Sequence, residues 1–355
     1  MAAVAYSVEG STAVLTVRNA PVNALSQAVR EGLLVGIRRA AADGQVRGVI
    51  IAGSGQTFPA GADIREFGSA AAAQSPNLVE VCTAIEECPK PVAAAIHGTA
   101  LGGGLEVALS CHYRVGAAGA KVGLPEVALG ILPGAGGTQR LPRLVGCETA
   151  IKMMTSGMPI NAKKALAAGV VDEVAPADGK TPAADSVVEA AVAFAEALGG
   201  APADPARVLS SLPVPPVAEG FFEGAKGATK KAARGMVAPL SIVDAVAAAA
   251  TAPSFAEGLA EEARLFMGLA RGPQAPPLTA QTLHHVGRLF VSQRCIADRM
   301  PLQAAALQHV FFAERQIGKV KGELGGGTPA KVASAAIVGA RPTLKPPAKP
   351  PAHTQ

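Results

Sequence analysis

The stretch His97–Arg114, HGTALGGGLEVALSCHYR, sets three consecutive glycines against an apolar run that carries a single acid, Glu106. The apolar segment before it, residues 92–96, reads as a strand, so residues 97–104 form a turn. The run that follows reads as a helix with Leu105, Ala108 and Leu109 on one face. Glycines ahead of a helix admit close backbone approach, and they leave the first helix N–H groups unpaired at the positive end of the helix dipole. Such a place stabilises an anion, either a phosphate or an oxyanion that develops during a reaction. The chain has no GxxxxGK[ST], which argues against a phosphate-cradling loop.

Two neighbouring segments favour the oxyanion. Residues 122–146, VGLPEVALGILPGAGGTQRLPRLVG, place Glu126 directly after Pro125 and ahead of a second glycine-rich loop, again in apolar surroundings. An unpaired buried carboxylate costs several kcal/mol or titrates at raised pH, so two acids in apolar segments are expected to be paired or chemically employed. Residues 58–67, FPAGADIREF, form a turn after the strand 47–53; there Ala62 is placed to offer its backbone N–H and Asp63 to cap the next helix.

The wider chain fits an α/β protein with a helical second half. β-Branched runs at 13–18, 47–53 and 90–98 alternate with helical stretches at 27–42 and 77–87. From about 183 to 320 strand signals give way to helical patterns at 184–198, 217–233, 240–250, 255–270 and 302–318. The predicted division is 1–200 as a core domain, 201–320 as a helical region, and 321–355 as a flexible linker with a Pro- and Lys-rich, disordered tail. The 347–350 PxxP reads as part of that solvated tail.

Composition narrows the function classes. Of 355 residues 49% are apolar and only 3% aromatic, with no Trp, so nucleic-acid recognition by base stacking is not expected. Lys and Arg exceed Asp and Glu by 32 to 27, which suits an anionic small molecule as well as an ordinary solvated surface. Five cysteines show no metal-ligand spacing, so no metal is expected and a reducing compartment is favoured. No window approaches the ~18 apolar residues of a membrane span, and no secretory signal is read at the N-terminus.

Taken in order, NAPVNALSQ (19–27), FPAGADIREF, KPVAAAIHGTALGGGLEVALSCHYRV (90–115), GLPEVALGILPGAGGTQRLPRLVG (123–146) and SGMPINAKKALAAGVVDEV (156–174) closely resemble the crotonase, or enoyl-CoA hydratase/isomerase, superfamily. Within it the wording is most similar to the hydratase half of peroxisomal bifunctional hydratase/dehydrogenases, and LQHVFFAERQIGKV (307–320) resembles the helix that follows that half. The resemblance implies a crotonase-like ββα superhelix and the reversible addition of water to a trans-2-enoyl-CoA in fatty-acid β-oxidation. It places an oxyanion hole on the backbone N–H groups of Ala62 and Gly103, and the two catalytic carboxylates on Glu106 and Glu126. By the same resemblance Val22, Ala24, Ala60 and Ile64 would contact coenzyme A, with Arg315 and Lys319 as candidates for its phosphates. His97 reads as structural and Cys111 as core, since this chemistry needs neither imidazole nor thiol.

The same pair of acids suits 3,2-enoyl-CoA isomerisation, which the resemblance also admits. Coenzyme A would enter as part of the acyl-CoA substrate; no cofactor is expected. The strand-like 332–340 runs into RPTLKPPAKPP rather than a GxGxxG turn, so neither an NAD site nor dehydrogenase activity is expected. Residues 270–290 stand out as an insertion without a counterpart in the resemblance. That insertion and the altered end motivate an alternative, a non-catalytic or regulatory truncated acyl-CoA-binding variant. The resemblance suits a homo-oligomer and a peroxisome, although the chain ends in His353-Thr354-Gln355 rather than an SKL-type signal, which leaves the cytoplasm as the alternative.

Overall fold

The computed structural model describes residues 2–66, 74–177 and 181–274. Its organising element is a six-stranded sheet in the order β1-β2-β3-β4-β6-β9. These strands are β1 (Val4–Glu9), β2 (Thr12–Val17), β3 (Gly48–Gly53), β4 (Val92–Ile96), β6 (Tyr113–Ala117) and β9 (Glu173–Ala175). The edge pair β1–β2 is an antiparallel hairpin, and every pairing after it is parallel. A second, three-stranded sheet joins β5 (Thr99–Leu101), β7 (Lys121–Gly123) and β8 (Ile160–Asn161).

The strand sequences explain the layering. Parallel central strands are covered on both faces and therefore read as continuous apolar runs. β3 (GVIIAG) and β4 (VAAAI) are buried at every position, and their alternate residues belong to two different hydrophobic clusters. Val49, Ile51, Val92 and Ala94 face one cluster together with Leu15 and Val17 from β2 and with Val29, Leu33 and Ile37 from α1 (Gln27–Ala42). Ile50, Ala52, Ala93 and Ala95 face the other, which Val187, Ala191 and Ala195 of α7 (Ala183–Ala197) close. The many alanines let this helix sit close against the sheet, which compensates for the scarcity of aromatic side chains.

The chain passes twice from the large sheet to the small one and then into a helical turn. β4 leads to β5 and α3 (Gly103–Ser110); β6 leads to β7 and a 3-10 turn, Glu126–Leu129. This is the repeated ββα step of a crotonase-like superhelix. Each step deposits a turn at the same end of the sheet. Further helices are α2 (Leu78–Glu86), α4 (Gly137–Val145), α5 (Cys147–Ser156), α6 (Ala162–Ala167), α8 (Phe221–Ala233), α9 (Ala238–Thr251) and α10 (Phe255–Ala270). Helix α2 begins with a capping box, in which Asn77 accepts from Glu80 N–H while the Glu80 carboxylate takes the Asn77 N–H.

The helical patterns expected at 184–198, 217–233, 240–250 and 255–270 appear as α7 to α10. Ile242, Val246 and Leu269 join the cluster that contains Leu141 and Leu105, so α9 and α10 share the hydrophobic core of the preceding α/β part. The helix expected at 302–318, most of the 270–290 insertion, the 332–340 segment and the Pro-rich tail lie outside the described residues. None of the helices described is long and apolar enough to cross a membrane.

Candidate active site

The glycine triplet is required by contacts on three sides. Gly102 adopts φ +52°, where L side chains are strained, and a methyl group on it would stand 2.9 Å from Glu126 Oε1. Gly103 opens α3, and a methyl group there would lie 3.2 Å from the backbone nitrogen of Ala62. Gly104 packs directly on the Pro59 carbonyl, with no room for a Cβ. The FPAGAD turn and the glycine turn are thereby pressed together. The 58–62 segment is held in turn by the 19–25 loop, through Ala60 N–H to Val22 O (3.1 Å) and Leu25 N–H to Gly61 O (2.9 Å).

Two amides come together at this junction. Gly103 N–H is the first of its helix, where no intrahelical acceptor exists, and Ala62 N–H donates to no backbone carbonyl among the described residues. The expected cap is also present in modified form. Asp63 precedes only a 3-10 turn, Ile64–Glu66, and accepts from Arg65 N–H (3.1 Å) while pairing with the Arg65 guanidinium at 2.6 Å.

The acids lie around the second glycine loop. Glu106, in the first turn of α3, is buried, and its Oε1 accepts from Ala135 N–H (2.7 Å) and Gly137 N–H (2.9 Å). Burial pushes its carboxyl up, opposed by those two bonds and by the Arg140 charge. Glu126 opens the 3-10 turn after Pro125, and its Oε2 is sealed from solvent without a hydrogen-bond partner among the described residues. Burial first, then the Glu106 charge and, more weakly, Glu262, hold its carboxyl well above the usual carboxylate range. Both carboxyls are thus raised, but two amides and a cation oppose the rise at Glu106, whereas neighbouring carboxyls add to it at Glu126.

A third carboxyl was not anticipated from the sequence. Glu262 on α10 is 0% exposed; its Oε1 accepts from Gly136 N–H (2.7 Å), and its Oε2 from Thr138 N–H (3.0 Å) and Thr138 Oγ1 (2.5 Å). Its carboxyl is pushed up to about 8, by burial first and by Glu106 second. A signal did exist. Glu262 shares the buried stripe of α10 with Gly258 and Leu269, so it is an acid at a core position of an amphipathic helix. Behind Glu106, Arg140 forms a buried ion pair with Glu86 on α2 (2.7 Å) and lies 5.0 Å over the Phe255 ring.

The remaining sequence-predicted residues divide by location. Val22, Ala24 and Ala60 are brought to the same rim, though Ala60 N–H is already engaged by Val22 O, and Ala24 O accepts from Asn19 Nδ2 (2.6 Å). Ile64 begins the 3-10 turn beside them. Arg315 and Lys319 lie outside the described residues. His97 is buried beneath the turn with Nε2 3.2 Å from Gly55 O, and burial lowers its pKa. Cys111 is fully buried, with its Sγ 3.4 Å from Val107 O. No group of His, Cys, Asp and Glu suited to a metal ion occurs among the described residues.

A superhelix of ββα steps that sets two amides beside a buried acid, Glu106, and a half-buried one, Glu126, whose Oε2 is sealed from solvent, defines the class to which the comparisons also lead. The enoyl-CoA hydratase/isomerase family pattern matches residues 7–212, and the chain belongs to that family. It is 41% identical to the peroxisomal bifunctional enzyme of Danio rerio over 337 residues, covering 94% of this chain and 41% of that protein. It is 48% identical to a probable enoyl-CoA hydratase of Bacillus subtilis over 176 residues, 48% of this chain and 68% of the relative. Among solved structures, the carnitinyl-CoA hydratase of Mycobacterium avium superposes with a TM-score of 0.54 at 27% identity, over 78% of this chain and 93% of that one. The chain thus spans about two fifths of the length of the bifunctional relatives.

Proposed function

We propose that this chain is an enoyl-CoA hydratase acting in fatty-acid β-oxidation, which adds water reversibly to trans-2-enoyl-CoA. The observation that carries the reading is the asymmetric pair of acids, Glu106 bound by two loop amides and Glu126 with its Oε2 sealed and without a hydrogen-bond partner among the described residues, beside the amides of Ala62 and Gly103. The thioester carbonyl oxygen would sit between those two N–H groups. As water oxygen bonds to C3 of the enoyl chain, the C2–C3 π electrons shift toward the carbonyl and negative charge gathers on its oxygen. Two preorganised donors aimed there are worth roughly 3 kcal/mol each. Glu106, whose amide bonds both go to Oε1, takes the proton from the attacking water. Glu126, held neutral by burial and by the Glu106 charge, delivers a proton to C2. The product carries OH at C3 and H at C2, and the two acids exchange their protons with water to restore the starting state.

The family match and the Bacillus subtilis relative support this activity. The same acids would move a proton between C4 and C2 of a 3-enoyl-CoA, so 3,2-isomerase activity is proposed beside it. Acyl-CoA is the proposed substrate, with coenzyme A along the rim formed by residues 22–24 and 60–64. The peroxisome is the proposed compartment, supported by the bifunctional relatives, and a tagged chain that stays in the cytosol would refute it.

The test follows loss of the conjugated enoyl-thioester absorbance of crotonyl-CoA with wild type, Glu106→Gln and Glu126→Gln. Each variant is expected to lose on the order of 10²- to 10⁴-fold in kcat, the usual worth of a general acid or base. Wild-type turnover no faster than that of both variants would refute the hydratase reading.

A further inference from the structure

We infer that Glu262, supplied by α10, is a positioning residue for the hydration site that orients Glu106 through the backbone they share. The inference rests on the hydratase reading above. The loop at 135–138 offers four consecutive N–H groups, and the two carboxylates take them alternately. Ala135 and Gly137 donate to Glu106, whereas Gly136 and Thr138 donate to Glu262. A loop whose amides are shared in this way cannot rotate one N–H toward Glu106 without withdrawing its neighbour from Glu262. The direction of Glu106 Oε1 is therefore tied to the seating of α10.

Three further contacts fasten the arrangement. Thr138 Oγ1 donates to Glu262 Oε2 and accepts from Gln139 Nε2 at 2.9 Å, and that same Nε2 reaches Ala245 O on α9 at 3.1 Å. Gly258 stands one turn before Glu262 and lies so close to Gln139 Oε1 that a side chain there would collide with it. Gly137 is equally constrained, since a methyl group on it would stand 2.9 Å from Glu106 Oε1. A helix distant in sequence thus sets the placement of an acid in α3 without touching the substrate position itself.

Glu262 is also part of the charge balance. The charged and titratable groups that face it are Glu106 on α3, Glu126 on the 3-10 turn, and Arg140 on α4 with its partner Glu86. Arg140 is the one cation in this set, and Glu86 already holds it. When Glu262 ionises, its charge opposes ionisation of Glu126. Replacing it by a neutral isostere therefore lets Glu126 release its proton at lower pH.

The experiment compares wild type with E262A, E262Q and the neighbouring surface variant E261Q. E262A removes all three hydrogen bonds and is expected to lose about 100-fold in kcat on crotonyl-CoA with KM changed less than about threefold, the effect of a displaced catalytic group. E262Q keeps the shape and an acceptor oxygen. It is expected to recover most of kcat near neutral pH while its alkaline limb moves to lower pH, and E261Q is expected to match wild type. A lesion of packing alone would not move that limb. Carbon-13 NMR titration of glutamate-labelled protein reads the same coupling without turnover, and the Glu126 midpoint is expected to fall in E262Q. An unmoved Glu126 midpoint overturns the inference whether or not the wild type hydrates crotonyl-CoA. E262A turnover within about twofold of an active wild type also overturns it. A wild type that fails to hydrate while the midpoint still moves refutes the hydratase reading and leaves the coupling of Glu262 to the neighbouring acids standing.

Discussion

Gly104 lies against the carbonyl of Pro59 with no room for a Cβ between them. This contact fixes the distance between the two turns that carry the amides of Ala62 and Gly103. Gly104→Ala would have to push the 58–61 backbone aside, because a main-chain carbonyl cannot swing away as a side chain does. A loss of about 100-fold in crotonyl-CoA hydration is expected, the scale of a 1 Å misplacement. Gly119→Ala, where nothing lies within 4 Å of a new Cβ, is the matched control and is expected to leave both activity and melting temperature unchanged.

The buried Arg140–Glu86 pair supports the acid side of the site from behind. Arg140 donates to Glu86, whose Oε1 also accepts from Ser210 N–H at 2.9 Å. Arg140→Met leaves Glu86 buried without its cation and is expected to cost about 3–5 kcal/mol in urea unfolding. The double variant Arg140→Met/Glu86→Gln is expected to be more stable than Arg140→Met alone. A double variant less stable than the single one would mean that Glu86 contributes through a partner other than Arg140, such as Ser210 N–H.

The raised carboxyl of Glu262 makes stability pH-dependent with a definite sign. A buried acid whose folded pKa lies above its unfolded value keeps its proton after the unfolded chain has released it, so stability falls as pH rises through that window. With an ordinary value of 4.5 and a folded value of about 8, the window runs from about pH 4.5 to about pH 8. The expected loss across it is about 5 kcal/mol as an upper bound, since a shift of one unit is about 1.4 kcal/mol. The unfolding free energy of wild type is expected to decline more steeply over this range than that of Glu262→Gln, measured by urea melts at pH 5, 6.5 and 8. Parallel profiles for the two proteins would count against the assignment.

Asn23 organises the rim proposed for coenzyme A. It sits at φ +52°, its Nδ2 donates to Ser54 O (2.8 Å) and Thr57 O (2.7 Å), and its Oδ1 accepts from Asn19 N–H (3.0 Å). Asn tolerates this left-handed backbone better than most residues and ties its own loop, 19–23, to the loop at 54–57. Asn23→Ala is expected to raise KM for crotonyl-CoA by about tenfold, equivalent to about 1.4 kcal/mol of lost binding, with a smaller change in kcat. A variant that loses kcat while retaining wild-type KM would place the effect at the acids instead.

Local patterning carried much of the architecture. Apolar runs such as GVIIAG and VAAAI mark buried strands, and the GGG and FPAGAD turns mark places where the backbone approaches closely. Glu106 and Glu126 were legible because an acid in an apolar segment demands a reason. Glu262 was less so. It lies beside Glu261 in a helix that exposes several charges, and only its place on the buried stripe distinguishes it.

By itself, then, the sequence determined the alternation of strands and helices, the glycine turns that bring amides within reach of one another, and the two acids beside them. These follow from short-range rules, the pleat of a strand, the pitch of a helix and the steric freedom of glycine. Tertiary structure alone decided which carboxylate each amide of residues 135–138 would serve, and that α10 would close the site from more than a hundred residues away. It also decided the charge balance, because desolvation and the mutual repulsion of Glu106, Glu126 and Glu262 exist only once folding has removed water from between them.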